Sequence, residues 1–267
     1  MQEPIPVSIC VAARNRIEQI KVAFPTWVAA CPAEIVIIDD GSTDGTGDYV
    51  RQMQAVLRNA VEIVYELRTG PDATNYKGNP GAVHNRSIEI SGQEIVILTC
   101  AEVAFLPGCV AAMVERLDQP KPPVDFVLPR TFNVPVGKAR ACFDAAPGDL
   151  AYRDPTGEIG KPWYTVPGVQ NEWGRLATRW HPMDALVYPD LALGLEVYCG
   201  HERQAPLMFA GAFRRITWDT LGGYGGASMA RADGAFANRA SRAGKRFCGM
   251  ADAVALHLKH AKGDPKR

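Results

Sequence analysis

Four short apolar runs rich in β-branched residues, each followed by a helix-like segment, fill the first 118 residues. They are Pro6 to Ala12, Glu34 to Ile38, Val61 to Tyr65 and Glu94 to Leu98. Runs this short and this continuously apolar read as strands buried on both faces. The helices between them make the strands parallel, in one α/β sheet covered on both sides. The punctuation agrees. A helix from Arg16 to Phe24 should stop at Pro25, because proline removes a backbone donor. Thr43 or Asp44 can cap a helix reaching Leu57. A helix over Pro80 to Ile90 has Gly92 just past its end, and Pro107 opens another at its first turn.

After about Arg130 this order dissolves. Residues 131–205 are rich in Pro, Gly and Trp and show no clean period. So long an irregular stretch in a compact domain usually carries function. Order returns at Leu207 to Phe213, followed by a glycine-rich turn at Gly222 to Gly226. A helix-like stretch from Arg231 to Ala243 ends at Gly244, and Lys245 to Cys248 and Ala253 to His257 read as two short strands. One domain spanning 1–267 accounts for the pattern, with an irregular insertion, since a chain of this length can bury a sizeable core without a disulfide or metal staple.

Composition narrows the function classes. Lys+Arg and Asp+Glu are both 29, so bulk charge does not favour a nucleic-acid partner. The seven cysteines form no CxxC pair, which suits free thiols in a reducing compartment. No apolar run approaches the roughly 18 residues of a membrane span, and Met1 to Pro4 has no basic leader character. The expectation is a cytoplasmic protein, peripheral at a membrane surface at most.

The chemistry begins at Ile37-Ile38-Asp39-Asp40-Gly41-Ser42-Thr43-Asp44. Two carboxylates sit at the carboxyl end of a parallel strand, the edge where open α/β sheets bind ligands. By itself this is equally a βα turn built from good turn residues. It has company, however: Val7 to Arg16, with Arg14-Asn15-Arg16 at its end, stands one helix before it, and Val83-His84-Asn85-Arg86-Ser87 stands after it. Taken together these segments resemble the family 2 glycosyltransferases, over about 1–118 and 207–258. His84 stands where the family has an Arg.

The resemblance implies a GT-A fold, Rossmann-like and mostly parallel with helices on both faces, and a nucleotide-diphosphate sugar donor. Residues 1–118 would bind the nucleotide sugar and 119–267 the acceptor. It places Ala12 and Ala13 beside the base, which Asp39 would contact, with Asp40 as the fallback and uracil as the favoured base, and it counts Arg14 among the donor-binding residues. It adds Arg68 after the third strand, Asn85 at a helix start, and Cys100 and Ala101 at the end of the fourth strand. There the family carries Asp-x-Asp, which holds Mn²⁺ or Mg²⁺ against the diphosphate. This chain has Cys100-Ala101-Glu102, so Glu102 matches the second carboxylate while a thiol replaces the first. A hard divalent cation prefers oxygen, which makes the thiol a poor substitute. His257, ending the last apolar run, is a further metal-ligand candidate, preferred over His260.

Two matches lie further on. Leu221-Gly222-Gly223-Tyr224 resembles the turn before the acceptor loop and puts Tyr224 on the acceptor side. A weak Tyr198-x-x-His201 match adds His201. Arg231 to Arg239 resembles the helix that carries the catalytic base of inverting members. Asp233 takes the base position, and Ala232 replaces the Glu before it. An acceptor hydroxyl is a poor nucleophile until a positioned base takes its proton, so the chemistry requires such a group. Trp163, Tyr164, Trp173, Trp180, His181 and Tyr198 can stack on sugar rings or simply pack the segment down.

These residues imply inverting, single-displacement glycosyl transfer by a non-processive enzyme. The acceptor is a glycan, a lipid-linked sugar or another hydroxyl, with a nucleic-acid acceptor less favoured. Two rivals remain. One is a degenerate GT-A domain that binds nucleotide or glycan or scaffolds a partner. The other is a sugar-phosphate nucleotidyltransferase, against which the glycine-free turn Ala12 to Arg16 counts.

Overall fold

A computed structural model describes residues 3–69, 80–120, 123–143, 195–197, 210–225, 235, 236, 239, 240 and 242–259. The first half runs β1 (Ile5–Ala13), α1 (Ile17–Ala29), β2 (Pro32–Asp39), α2 (Thr46–Leu57), β3 (Glu62–Leu67), α3 (Pro80–Glu89), β4 (Ile95–Cys100), β5 (Val103–Phe105) and α4 (Cys109–Asp118). It continues with β6 (Phe126–Pro135), a short 3₁₀ turn, α5 (Ala139–Phe143), β7 (Leu195–Val197), β8 (Gly211–Arg214), α6 (Arg215–Thr220) and β9 (Phe247–Lys259).

One sheet takes the order β3-β2-β1-β4-β8-β6-β9-β5, with β7 also on β9. Strands β1 to β4 pair in parallel, as their apolar runs predict. Strand β8 is antiparallel to both β4 and β6, while β9 runs parallel to β6. The sheet is therefore mostly parallel, and its alternating residues feed two cores. Val7, Ile9 and Val11 face α1 and α4 with Phe24, Trp27 and Met113. Cys10 and Ala12 face the opposite layer with Val83, Trp218, Tyr224 and Phe236.

Several elements depart from the sequence pattern. Helix α2 starts at Thr46 with Gly45, in the left-handed conformation, as its N-cap in place of Thr43 or Asp44, and the short strand β5 is not expected from that pattern. Helix α1 continues through Pro25 to Ala29. Proline inside a helix costs about 3 kcal/mol, but Pro25 is exposed, and the turn beyond it is anchored. Trp27 is fully buried and donates its Nε1–H to Val103 O at 2.8 Å, and Thr26 Oγ1 accepts the Phe105 N–H at 3.0 Å. Strand β6 extends to Pro135, inside the stretch expected to be irregular. The two short strands expected near the end are one strand, β9. Its register against β6 jumps from Pro129↔Met250 to Arg130↔Val254, so the residues between form a bulge that the sequence shows as an interruption.

Candidate active site

The carboxyl edge of β1 organises the site. Ala13 O accepts the Asp40 N–H at 2.9 Å, and Ala12 O accepts the Ala101 N–H at 3.1 Å. The chain ends leaving β2 and β4 therefore flank Ala12 and Ala13, and Asp40 and Glu102 stand on either side of them. The Arg68 N–H donates to Asp39 O at 2.8 Å, which brings the end of β3 to the same edge. Among the described residues, Ala12, Ala13, Asp39, Asp40, Ala101, Glu102 and Arg68 thus share one rim of the sheet.

The β1–α1 turn contains no glycine; Asn15 takes the left-handed conformation instead, at φ 47°, which asparagine tolerates. Its N–H donates to Ser42 Oγ at 2.8 Å, and its Oδ1 accepts the Thr43 N–H at 2.8 Å. Asp44 accepts the Ile17 N–H at 3.0 Å and the Thr46 hydroxyl at 2.6 Å. These bonds hold the carboxylate of Asp44 below its ordinary pKa against the opposing effect of burial. The two βα turns are knitted into one rigid lip.

Asp39 is fully buried, and both its oxygens are bonded. Oδ1 accepts the Ser42 N–H at 2.8 Å, and Oδ2 accepts the Tyr65 hydroxyl at 3.0 Å. Burial and the Asp39 charge raise the Tyr65 pKa, so the phenol stays protonated as the donor. Asp40 is also fully buried. Arg14 Nη1 donates to its main-chain oxygen at 3.1 Å and lies 3.7 Å from its Oδ2. Glu102 is 8% exposed, and its Oε2 lies 3.6 Å from Arg16 Nε. His257 pairs with Val103 across the β5–β9 ladder, and the Leu258 N–H donates to Glu102 O at 2.7 Å, so the two expected metal ligands are neighbours along the backbone.

Cys100 places its Sγ 3.8 Å from His84 Nε2. Burial pushes the His84 pKa down to about 4, partly opposed by the Glu102 charge, so the imidazole is neutral at neutral pH. A depressed folded value makes the unfolded chain take up its proton first. The stability His84 contributes is therefore complete above about pH 6.5 and is lost as the pH falls toward 4. We expect the wild type to lose about 2 kcal/mol from this residue between pH 7 and pH 5. Urea unfolding at both pH values should show that loss, and His84→Phe should remove it. Equal pH dependence in both proteins contradicts the assignment.

The acceptor side is partly described. The Asn85 side chain donates to Tyr224 O and accepts the Tyr224 N–H, both at 2.8 Å. Arg239 donates through Nε to Leu221 O at 3.0 Å and through Nη2 to Gly223 O. The Tyr224 ring is buried against Trp218, Phe236 and His84. In this structure Asn85 and Tyr224 fix the glycine turn to α3. Asp233, His201, Trp163, Tyr164, Trp173, Trp180, His181, Tyr198 (beyond β7) and His260 lie outside the described residues.

Among the described residues, no group of three His, Cys, Asp or Glu is placed to hold a metal ion. The one carboxylate of the Cys100-Ala101-Glu102 stretch is engaged by a guanidinium, and its other potential ligand is a thiol beside an imidazole. With His257 beside them, the described residues offer one guanidinium-paired carboxylate, one thiol and one imidazole, too few oxygen ligands for Mg²⁺ or Mn²⁺. The sequence reading missed Arg16 as the partner of Glu102 and Tyr65 as the partner of Asp39. The alternation of β3 was the available signal for Tyr65, since it places every second residue on the Asp39 side.

Comparison with known proteins bears on the whole arrangement. The family described as glycosyl transferase family 2 matches residues 8–141, half of the chain. No curated protein sequence matches. Among solved structures, S. aureus TarS 1–349 in complex with UDP-GlcNAc is similar at TM-score 0.59 and 14% identity, covering 97% of this chain and 60% of its own. The mannosyltransferase PcManGT from Pyrobaculum calidifontis, in complex with GDP-Man and Mn²⁺, gives 0.57 and 19%, covering 98% and 59%. GalNAc-T7 with UDP, GalNAc and Mn²⁺ gives 0.62 and 10%, covering 98% and 45%. The chain thus spans at most 60% of the length of these structures. At such identities the likeness is one of fold, and the fold is GT-A. No helix among the described residues is long and apolar enough to cross a membrane.

Proposed function

The chain belongs to glycosyl transferase family 2, and from that premise we propose that it is an inverting, non-processive glycosyltransferase using a nucleotide-diphosphate sugar, with a UDP-sugar favoured. The observation that carries this reading is the shared rim: Asp39 and Asp40 lie on one side of the glycine-free end of β1 and Glu102 on the other, at one edge of the sheet. A rigid lip of two βα turns at the carboxyl edge of a parallel sheet suits a nucleotide. Asp39 is the base-contacting carboxylate, held in one rotamer by Tyr65 and Ser42. Residues 1–118 hold the donor, and 119–267 supply the acceptor side.

The step is a single displacement. Asp233 takes the acceptor hydroxyl proton as that oxygen forms a bond to the anomeric carbon. The bond from this carbon to the diphosphate oxygen breaks, and its electron pair leaves with the nucleoside diphosphate. A base contributes about 10²- to 10⁴-fold in such a step, and stabilising the leaving charge is usually the larger contribution. A hydroxyl of a glycan or a lipid-linked sugar is the acceptor.

Thermal-shift screening against UDP-, GDP- and dTDP-sugars tests the reading, followed by assay of donor hydrolysis. A stabilising donor that is also cleaved supports it; no stabilisation by any of the three contradicts it. Donor affinity without cleavage would favour a degenerate binding domain, the reading that Cys100 and Ala232 support. Asp39→Ala should weaken donor binding about 10- to 100-fold, the scale of hydrogen bonds to a charged group. Tyr65→Phe, which only frees the carboxylate, should cost about 3- to 5-fold. Calorimetric titration with the stabilising donor checks both. Equal losses in the two variants would mean that Tyr65 itself touches the donor.

A further inference from the structure

The rim that does not fit a hard cation already has an organic cation built into it. Arg16 is the N-cap of α1, and its backbone is fixed from three sides. Its N–H donates to Thr46 Oγ1 at 3.1 Å, its carbonyl accepts the Ile20 N–H at 2.8 Å, and Ile17 beside it is held by Asp44. Its side chain is carried inward, leaving the residue 8% exposed, with Nη1 donating to Asn15 O at 3.0 Å. Nε lies 3.6 Å from Glu102 Oε2, too far to be a hydrogen bond, and finds no hydrogen-bond acceptor. A buried charged donor without an acceptor is costly, and a phosphate oxygen would satisfy it.

We propose that Arg16 takes the part of the divalent cation. The diphosphate of the donor is held by the Arg16 guanidinium, and Glu102 is a positioning residue that aims that guanidinium rather than a metal ligand. Donor binding is then independent of Mn²⁺ and Mg²⁺. The proposal rests on the nucleotide-sugar reading above. Two observations carry it, and a consequence of the first adds to them. The carboxylate a metal would need is engaged by Arg16. The neighbouring ligand position is a thiol, 3.8 Å from His84. A dication on Glu102 would also have to displace or abut a guanidinium anchored by its own helix, against like-charge repulsion. An arginine fork matches phosphate geometry and brings its charge without a metal-binding step.

The test uses the full chain and calorimetric titration with UDP, GDP and dTDP, each in chelator and in Mn²⁺, alongside the matching nucleosides. For the nucleotide that binds tightest, affinities in chelator and in Mn²⁺ should agree within about threefold. Arg16→Gln should weaken that nucleotide by about 10- to 100-fold, the scale of a charge-assisted bond, and leave its nucleoside unchanged. Glu102→Gln, which keeps the guanidinium but loosens its aim, should cost less than Arg16→Gln. Electron paramagnetic resonance should show free Mn²⁺ lowered no further by wild-type protein plus nucleotide than by the nucleotide alone. Binding more than about tenfold tighter in Mn²⁺, or Mn²⁺ uptake lost in Glu102→Gln, overturns this proposal and leaves the transferase reading standing. Failure of all three nucleotides in both conditions overturns both. Should Arg16→Gln melt below the wild type, the wild-type comparison and the Mn²⁺ spectra decide without it.

Discussion

Asp233→Asn should lower kcat by about three orders of magnitude while leaving donor affinity within about twofold. The substitution keeps the size and polarity of the side chain and removes only its capacity to take a proton. The effect therefore belongs to the chemical step and not to donor binding. The readout is nucleoside diphosphate released from the donor, with water or a hydroxyl acceptor, against calorimetric donor affinity. The chain just after Asp233 is anchored: Phe236 is fully buried, and Arg239 donates to two carbonyls of the glycine turn. A base must be held within hydrogen-bond reach of its proton. A kcat within tenfold of the wild type would remove Asp233 from the mechanism and leave a GT-A fold whose base lies elsewhere.

The largest stability effect should come from Gly223→Ala, at about 3 kcal/mol. Gly223 has φ +58°, which costs a residue with a Cβ about 1 kcal/mol. An added Cβ would stand 2.6 Å from Asn85 Oδ1 and 2.8 Å from Trp218 Nε1. The Asn85 amide must then move, and moving it breaks its paired bonds to Tyr224, worth about 1 kcal/mol each. Trp218 has little room to yield, because it stacks on Phe213 and packs against Phe236. Gly222 is the internal control: its φ is +71° but nothing lies within 4 Å of its added Cβ. Gly222→Ala should therefore lose only the backbone cost of about 1 kcal/mol. Urea unfolding of both variants separates the terms. Equal losses would mean that backbone conformation alone, and not the Asn85–Tyr224 latch, sets the cost.

The first half of the fold was legible because its strands are buried on both faces and so appear as unbroken apolar runs. Asp39 and Asp40 were legible as an acidic pair closing such a run, but the run alone did not separate a ligand edge from a turn; the order of the flanking segments singled them out, and the full burial of both appears only in the structure. Helix α1 outran its proline because Trp27 lies beyond it, and a local rule cannot weigh a bond from that indole to Val103 on another strand. Strand β9 was divided in two because Gly249, Ala251 and Asp252 interrupt its apolar pattern where the backbone bulges. Arg16 was visible only as part of the Arg14-Asn15-Arg16 turn. Its significance lies in Glu102, distant along the chain and adjacent only once β1 and β4 are paired. Tyr224 and Asn85 have a structural role that the sequence did not show. Their place in a familiar order of segments suggests contact with substrate, while the structure uses both to lock a turn onto α3.

A crystal structure with the stabilising nucleotide sugar is the most direct test of the central claim that one rim of the sheet binds the donor and carries out the transfer. The base should lie against Asp39, the diphosphate beside Arg16 and Glu102, and the carboxylate of Asp233 on the open side of the anomeric carbon, within reach of an incoming hydroxyl. A nucleotide bound away from the carboxyl ends of β1 and β2, or an Asp233 carboxylate turned from the sugar, would contradict the account.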